Sequence, residues 1–357
     1  MSGGVDSSLA AALLKEAGYE VIGVTMRLWA EESPDLPPRH HPCCLTEDVN
    51  DARRVCHILD VPYYVLNFER QFRTWVVDYF CREYSHGRTP NPCLACNQQI
   101  KFHFLLKKVL ALGADYLATG HYARIDRSQG ELSLLKAIDG TKDQSYALYA
   151  LGQRELQHLL LPLGEHHKAD ARRMAAQRGL PVADKADSQE ICFIPDGDYR
   201  PFLAQHLTPA PGEIVDTRGK VLGRHRGLAF YTVGQRRGLG LASGKRLYVV
   251  RLEPSANRLV VGEAQELLSD TLFAKKLNWV RGSPPPESRP IAAKIRYKSP
   301  EAAAVLHTGE GWAKVSFLQP QRAITPGQAV VFYQGNAVLG GGIIDDRGPS
   351  SQEWVMA

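Results

Sequence analysis

The chain opens Met1-Ser2-Gly3-Gly4-Val5-Asp6-Ser7 and runs straight into Ser8-Leu9-Ala10-Ala11-Ala12-Leu13-Leu14, an Ala- and Leu-rich helix that Gly18 ends. Two adjacent glycines let the backbone close on an anion. Ser2, Ser7 and the first helical N–H groups aim donors at the same point. The G-x-x-x-x-G-K spacing of a Walker loop is absent, so this is a phosphate cradle of another type. Ser and Asp would also serve a plain helix cap, but six residues in this order, followed by helix and strand, favour the cradle.

Outward from the loop, strand and helix patterns alternate. Glu20–Met26 reads as a strand, Thr46 caps a helix over Asp48–Leu59, and Val61–Asn67 reads as a second strand. Gln71–Tyr84 is an amphipathic helix; after the loop Gly87–Asn97 a helix runs to Leu112, closed by Gly113, and Asp115–Thr119 is a strand. Such alternation predicts an α/β domain, a parallel sheet covered by helices on both faces. Near Pro195 the character changes. Beyond Gly212 short β-rich runs follow at Leu228–Val233, Arg246–Leu252, Arg258–Val261, Ala292–Tyr297, Ala313–Phe317, Ala329–Tyr333 and Val338–Ile344. They predict small β modules or a barrel, with Ser283-Pro284-Pro285-Pro286 as a stiff loop. The expected domains are 1–198, 199–270 and 271–357.

At 357 residues the chain exceeds one ordinary core, and 44% hydrophobic with 23% charged residues excludes disorder and collagen-like repeats. No apolar run approaches the ~18 residues of a membrane span, and no leader pattern is seen, so a soluble cytoplasmic protein without membrane contact is expected. From Tyr199 onward 21 Lys and Arg stand against 12 Asp and Glu, out of 43 and 38 in the whole chain. The C-terminal part is thus net +9 and the first 198 residues net −4, which points to chemistry in the first and polyanion binding in the second. Seven cysteines, with Cys43-Cys44 and Cys93-x-x-Cys96 paired and Cys56, Cys81 and Cys192 single, read as reactive or metal-binding thiols rather than a disulfide framework. Cys96 lies where the next helix is expected to begin, a position that favours the thiolate. Cys93 and Cys96 alternatively form half of a zinc site, and Cys192 a small buried hydrophobe.

Ser2–Ser7 resembles the pyrophosphate loop of the PP-loop ATP pyrophosphatases (adenine nucleotide alpha hydrolase-like fold). Further stretches resemble one family within them, the tRNA-specific 2-thiouridylases of bacterial MnmA type. They are Gly23-Val24-Thr25-Met26, Gly87-Arg88-Thr89-Pro90-Asn91-Pro92, Ala118-Thr119-Gly120-His121-Tyr122, Lys142-Asp143-Gln144-Ser145-Tyr146 and Ile191-Cys192-Phe193. Gly234-Gln235-Arg236-Arg237-Gly238-Leu239-Gly240, Arg296-Tyr297 and Pro326-Gly327-Gln328-Ala329 extend the likeness over nearly the whole chain.

The resemblance implies a PP-loop domain, a small central domain and a C-terminal β-barrel. It also implies replacement of the 2-oxygen of the wobble uridine by sulfur in tRNAs for Lys, Glu and Gln. ATP with Mg2+ adenylates that oxygen, and a persulfide delivers the sulfur. By position Cys96 matches the nucleophile and Cys192 the persulfide carrier, the two forming a transient disulfide. Met1, Ser2, Gly3, Gly4, Val5, Asp6, Ser7, Met26 and Gly120 match nucleotide-binding positions. Asn91, Pro92, Cys93, His121, Lys142, Asp143, Gln144, Arg296, Tyr297 and Gln328 match tRNA contacts. The implied partners are tRNA and a cysteine desulfurase or sulfur-relay protein. Two departures stand out. The family's short apolar strand before the loop is missing from this sequence, and Cys93 stands where many relatives carry Asp. With Cys93 a thiol, Cys93, Cys96 and Cys192 become candidate ligands of an iron–sulfur cluster, an alternative to the persulfide route. The competing classes are another AMP-forming PP-loop ligase, which needs no paired cysteines, and a zinc-stapled RNA-binding protein.

Overall fold

A computed structural model describes residues 1–29, 46–128, 130–187, 191–194, 197–242, 244–285 and 288–346. Cys43, Cys44, Pro195 and Pro286, all named above, lie outside the described residues. The opening helix α1 (Val5–Glu16) begins directly behind Gly4 and packs Val5, Leu9 and Ala12 inward. Strand β1 (Gly23–Arg27) pairs in parallel with β2 (Tyr63–Asn67), and β3 (Leu117–Ala118) pairs in parallel with β6 (Leu159–Leu160). Helix α2 (Thr46–Ile58) connects β1 to β2. The α/β expectation is met, with the parallel pairing seen in these two pieces.

The helix expected after Asn97 starts earlier. Asn91 accepts hydrogen bonds from the Cys93 and Leu94 N–H groups at 3.0 and 3.4 Å, and Pro92 occupies the first helical position. Both are helix-start signals, so one α turn (Pro92–Ala95) leads into a wide π-helical stretch (Cys96–Leu105) and then an α segment (Leu106–Ala111). Cys93, not Cys96, therefore sits in the first turn.

The middle β module orders its strands β8 (Val221–His225), β7 (Gly212–Asp216), β10 (Arg258–Gly262) and β9 (Tyr248–Glu253). Leu228–Val233 is not a strand. Leu228–Phe230 forms a 3-10 turn behind Gly227, and Leu228 and Tyr231 are drawn into the module's own core. The last module is a closed barrel of β11 (Leu268–Trp279), β14 (Trp312–Arg322), β13 (Ala302–Gly309), β12 (Arg289–Lys294), β15 (Ala329–Gln334) and β16 (Ala337–Asp345), sealed by β11 pairing with β16. Strands β11 and β13 escaped the sequence reading because Lys275-Lys276 and the alanines of β13 blur their apolar alternation.

Strand β15 explains how the modules join. Val330 and Phe332 face the barrel interior, while Ala329, Val331 and Tyr333 belong to the core that runs into the N-terminal domain. A strand buried on both faces must be apolar at every position, as Ala329-Val330-Val331-Phe332-Tyr333 is. Tyr146 Oη donates to the Ala329 carbonyl at 2.9 Å, and Asn278 Nδ2 donates to the Tyr149 and Leu151 carbonyls at 2.8 and 3.0 Å. The N-terminal hairpin β4 (Ala123–Asp126) and β5 (Ser133–Lys136) even extends the barrel sheet, Leu135 pairing with Ala337 of β16.

Arg88 completes the junction. Its Nε bonds Glu83 at 2.9 Å, one terminal nitrogen bonds Asp345 at 3.0 Å, and the other donates to the Ile344 carbonyl at 3.1 Å. Next to it, the Thr89 N–H donates to the Pro326 carbonyl at 2.8 Å. Arg88→Met takes from the largely buried Glu83 and Asp345 carboxylates the cation they share and should cost about 3 kcal/mol or more. The check is denaturant unfolding: barrel and N-terminal domain should separate into two transitions, and one unshifted transition would contradict the role given to Arg88.

Candidate active site

The loop is built by its glycines and by what presses on it. Gly3 has φ +71°, in the region that favours glycine, and a side chain there would strike the Asp48 backbone. Gly120, at the end of β3, comes so close that a Cβ would lie 2.6 Å from the Asp6 carbonyl carbon and 2.8 Å from the Ser7 nitrogen. Ser7 Oγ accepts from the Ser2 N–H at 3.1 Å, lies 3.1 Å from Ser2 Oγ and donates to the Gly4 carbonyl at 3.2 Å. Thr25 of β1 donates to the Met1 carbonyl at 2.7 Å. Met26 is the next residue of that strand and packs partly buried against the large core. Loop, Met26 and Gly120 thus occupy the same end of the parallel strands, where such sheets hold their ligands.

Asp6, in the first turn of α1, is not left to solvent. Lys168 Nζ reaches both its oxygens at 2.7 Å, and Tyr122 Oη donates to it at 2.8 Å. Lys168 is buried and also bonds Asp187 at 2.9 Å. Asp187 takes two more cations, Lys142 at 2.8 Å and Arg172 at 2.7 Å. Burial alone would raise the Asp187 carboxyl, but Lys142 and Lys168 hold it down to about 2. Lys168, Arg172 and Asp187 were not singled out in the sequence. Lys168 and Arg172 in a helical stretch read as a solvated face and Asp187 as a loop residue, and only folding brings them together beside the loop.

The thiols divide. Cys96 is buried in the large core, Cys192 packs half-buried against the same core beside Phe193, and Cys93 is exposed. Phe193 anchors that segment, its ring 5.7 Å from Phe72, 5.5 Å from Phe80 and 5.2 Å from Phe202. Cys96 and Cys192 are not joined, so the disulfide of the expected cycle is not part of this conformation. Among the described residues no three His, Cys, Asp or Glu side chains converge as a metal site. Among the described residues, Cys93, Cys96 and Cys192 therefore offer no ready ligand set for an iron–sulfur cluster. Burial pushes the Cys81 thiol up to about 11 and raises Cys56, so these two are inert packing.

The expected RNA contacts fall into two groups. Tyr297 of the barrel stands partly exposed over Gln144, with Asp143, Lys142 and Cys93 among the groups acting on its phenol. These five, from three separate stretches, share one surface. Others carry structural bonds. Asn91 caps its helix and Pro92 is buried behind it. Asp143 accepts from the Ala137 N–H at 3.0 Å and the Ser145 hydroxyl at 2.8 Å, and Gln144 accepts from the Tyr122 N–H at 2.9 Å. Gln328 Nε2 donates to the Thr89 carbonyl at 2.7 Å, and Arg296 donates to the Ala323 carbonyl. His121 Nδ1 lies 2.8 Å from the Thr119 hydroxyl. Desolvation, with the nearby Lys101 charge, drives its pKa well below 6.5.

A phosphate loop on parallel strands, followed by a four-stranded module and a closed barrel, defines a nucleotide-loop enzyme class with two appended β domains. The chain matches three protein-family models in that order. They are the tRNA methyl transferase HUP domain over residues 1–196, the tRNA methyl transferase PRC-barrel domain over 200–263 and the aminomethyltransferase beta-barrel domain over 269–344. It is 55% identical to the tRNA-specific 2-thiouridylase MnmA of Moorella thermoacetica, over 97% of this chain and 98% of that one. The MnmA proteins of Carboxydothermus hydrogenoformans and Lachnoclostridium phytofermentans are 53% and 49% identical, over 97% and 96% of this chain and 96% and 98% of theirs. The chain belongs to the tRNA-specific 2-thiouridylase family.

Two outcomes test the site. Gly120→Ala drives a methyl into the loop and should weaken ATP binding about tenfold or more, read by calorimetry against an unchanged fold. His121 is held neutral in the folded chain, so its contribution is intact above about 6.5 and is lost as pH falls below that value. His121→Gln should lose less stability than the parent between pH 7 and 5. Equal slopes in urea titrations would refute that desolvation.

Proposed function

We propose that this protein is an ATP-dependent tRNA-uridine 2-sulfurtransferase that thiolates the wobble uridine in the tRNAs for Lys, Glu and Gln. One observation carries the reading: a glycine-built phosphate loop, clamped by Gly120 and Lys168, belongs to the same domain as two cysteines packed on one core. An AMP-forming ligase would have no use for the second feature, and a passive RNA-binding module none for the first.

The loop N–H groups and the α1 N-terminus hold the pyrophosphate end of ATP. The uridine 2-oxygen attacks the α-phosphate, pyrophosphate leaves, and the oxygen becomes the bridge to AMP. Mg2+ would enter with the triphosphate as its counterion, held mainly by phosphate oxygens, because the Asp6 carboxylate beside the loop is already paired with Lys168 and Tyr122. Cys192 carries the persulfide supplied by a cysteine desulfurase or sulfur-relay protein. Its terminal sulfur attacks C2. The Cys96 thiolate then attacks the Cys192 sulfur, the S–S bond breaks, AMP departs, and C2 keeps the sulfur. The resulting Cys96–Cys192 disulfide requires two electrons from an external thiol before the next turnover.

On the RNA side Asn91, Pro92 and Cys93 meet the target base, which must leave its stack. Lys142, Tyr297 and the net +9 of the C-terminal part hold the backbone, while Asp143, Gln144, His121, Arg296 and Gln328 shape that surface through the bonds described above.

The decisive assay is pyrophosphate release that depends on unmodified tRNA with a wobble uridine, coupled to appearance of 2-thiouridine. Cys96→Ser and Cys192→Ser should each abolish thiolation while tRNA affinity stays within about tenfold. Full thiolation by either variant removes that cysteine from the mechanism. Tyr297 variants should retain pyrophosphate release from saturating tRNA but raise the tRNA concentration needed. Binding should weaken steeply with salt, and loss of one Lys–phosphate contact should flatten the slope by about one unit.

A further inference from the structure

Among the described residues Cys93 is the one exposed thiol; Cys56, Cys81 and Cys96 are buried and Cys192 is half-buried. Cys96 and Cys192 both pack on the large core, so a disulfide between them is largely shielded from solvent. Thiol–disulfide exchange needs an incoming thiolate to reach one of the two sulfurs, and burial blocks that approach. A reductant in solution therefore meets a Cys96–Cys192 bond poorly. No such obstacle separates Cys93 from Cys96. Cys93 lies in the α turn Pro92–Ala95, and Cys96 continues it with helical backbone angles, φ −61° and ψ −47°. Residues three apart in an α turn have Cα atoms about 5 Å apart, inside the roughly 4.4–6.8 Å that a disulfide spans. Asn91 fixes the turn by accepting from the Cys93 N–H at 3.0 Å, and Pro92 holds its first position. One helical turn thus carries a thiol open to solvent and a thiol packed in the core. Burial raises the Cys56 and Cys81 thiols, so neither serves in place of Cys93.

We propose that Cys93 is the resolving thiol of the reaction, passing the spent disulfide from the core to the surface. Its thiolate attacks Cys96 Sγ of the Cys96–Cys192 disulfide, that S–S bond breaks, and Cys192 leaves as a thiolate that takes a proton from water. One disulfide replaces another, so the exchange itself consumes no electrons. An external dithiol then attacks the exposed Cys93 Sγ and closes to its own disulfide. Its two electrons and two protons return Cys93 and Cys96 as thiols. The proposal rests on the two-cysteine sulfur transfer above and adds the route by which its disulfide reaches a reductant. Cys192 is free for the next sulfur as soon as the exchange is made. Cys93 acts on the Tyr297 phenol and shares that surface with Lys142, so the oxidised pair opens to the dithiol once the RNA has left.

The test uses the full chain, loaded with persulfide by a cysteine desulfurase and desalted, then given ATP and unmodified tRNA without reductant. After one turnover the thiols are blocked with N-ethylmaleimide and the disulfides mapped by peptide mass spectrometry. The parent should show Cys93 linked to Cys96 with Cys192 blocked, and Cys93→Ser should stop at Cys96–Cys192. Dithiothreitol should reduce the disulfide of folded Cys93→Ser several-fold more slowly than that of the parent, and both at one rate in denaturant. If Cys93→Ser forms no product, because Cys93 also meets the RNA, oxidation of both proteins with diamide supplies the disulfides to be mapped and reduced. A parent that accumulates Cys96–Cys192, or equal reduction rates in the two folded proteins, would overturn the relay while leaving the two-cysteine transfer standing. No disulfide in either protein would instead remove that transfer, and the relay with it.

Discussion

The guanidinium of Arg88 holds the N-terminal domain and the barrel in one arrangement. It sits behind the turn that leads to Asn91 and the cysteine-bearing helix, and it bonds Glu83 of its own domain and Asp345 and the Ile344 carbonyl at the end of the barrel. A lysine would supply the charge but not the fork, which reaches three acceptors at once. Around it, Thr89 bonds both Pro326 and Gln328 of the barrel and lies 3.4 Å from Thr232 of the middle module. The loop that begins the cysteine helix is therefore fixed by the two β modules, and Cys93 can face Tyr297 only while that junction holds.

The second constraint is electrostatic. Asp6, Asp139 and Asp187 lie at the loop end of the domain, and each is covered by a cation or a backbone donor. Lys168 serves all three, through its ammonium to Asp6 and Asp187 and through its N–H to Asp139 at 3.0 Å. On the other side Lys185 bonds Asp48 and Asp51 at 2.6 Å, tying α2 to the same connection that carries Asp187. Carboxylates so paired carry little net charge into the loop end of the domain, and they tie α1 and α2 to the stretch around Lys185 and Asp187.

Much of the site was legible in the sequence because its parts are local. Ser2–Ser7 needs only its own glycines and the following helix, and Asn91-Pro92 states a helix start in two residues. The loop expected to run to Asn97 in fact ends at Asn91, because Asn91 caps the helix and Pro92 fills its first position. The roles of Gln328 and Arg296 were not legible, since a donor to the Thr89 or Ala323 carbonyl looks in sequence like a donor to phosphate. Lys168 and Asp187 were invisible for a related reason: their partners lie 162 and 19 residues away from Lys168, and no local pattern records them.

The sequence by itself determined the elements whose physics is short-ranged. These are the phosphate loop, the alternation of strand and helix, the helix caps and the all-apolar β15, whose composition already demands burial on both faces. Tertiary structure alone decided what those elements meet. The barrel closes because β11 pairs with β16, the hairpin β4–β5 joins a sheet built two hundred residues later, and cations from two separate stretches, Lys142 and the pair Lys168 and Arg172, find one aspartate. Hydrogen bonds and ion pairs are set by distance in space, and distance along the chain does not predict it.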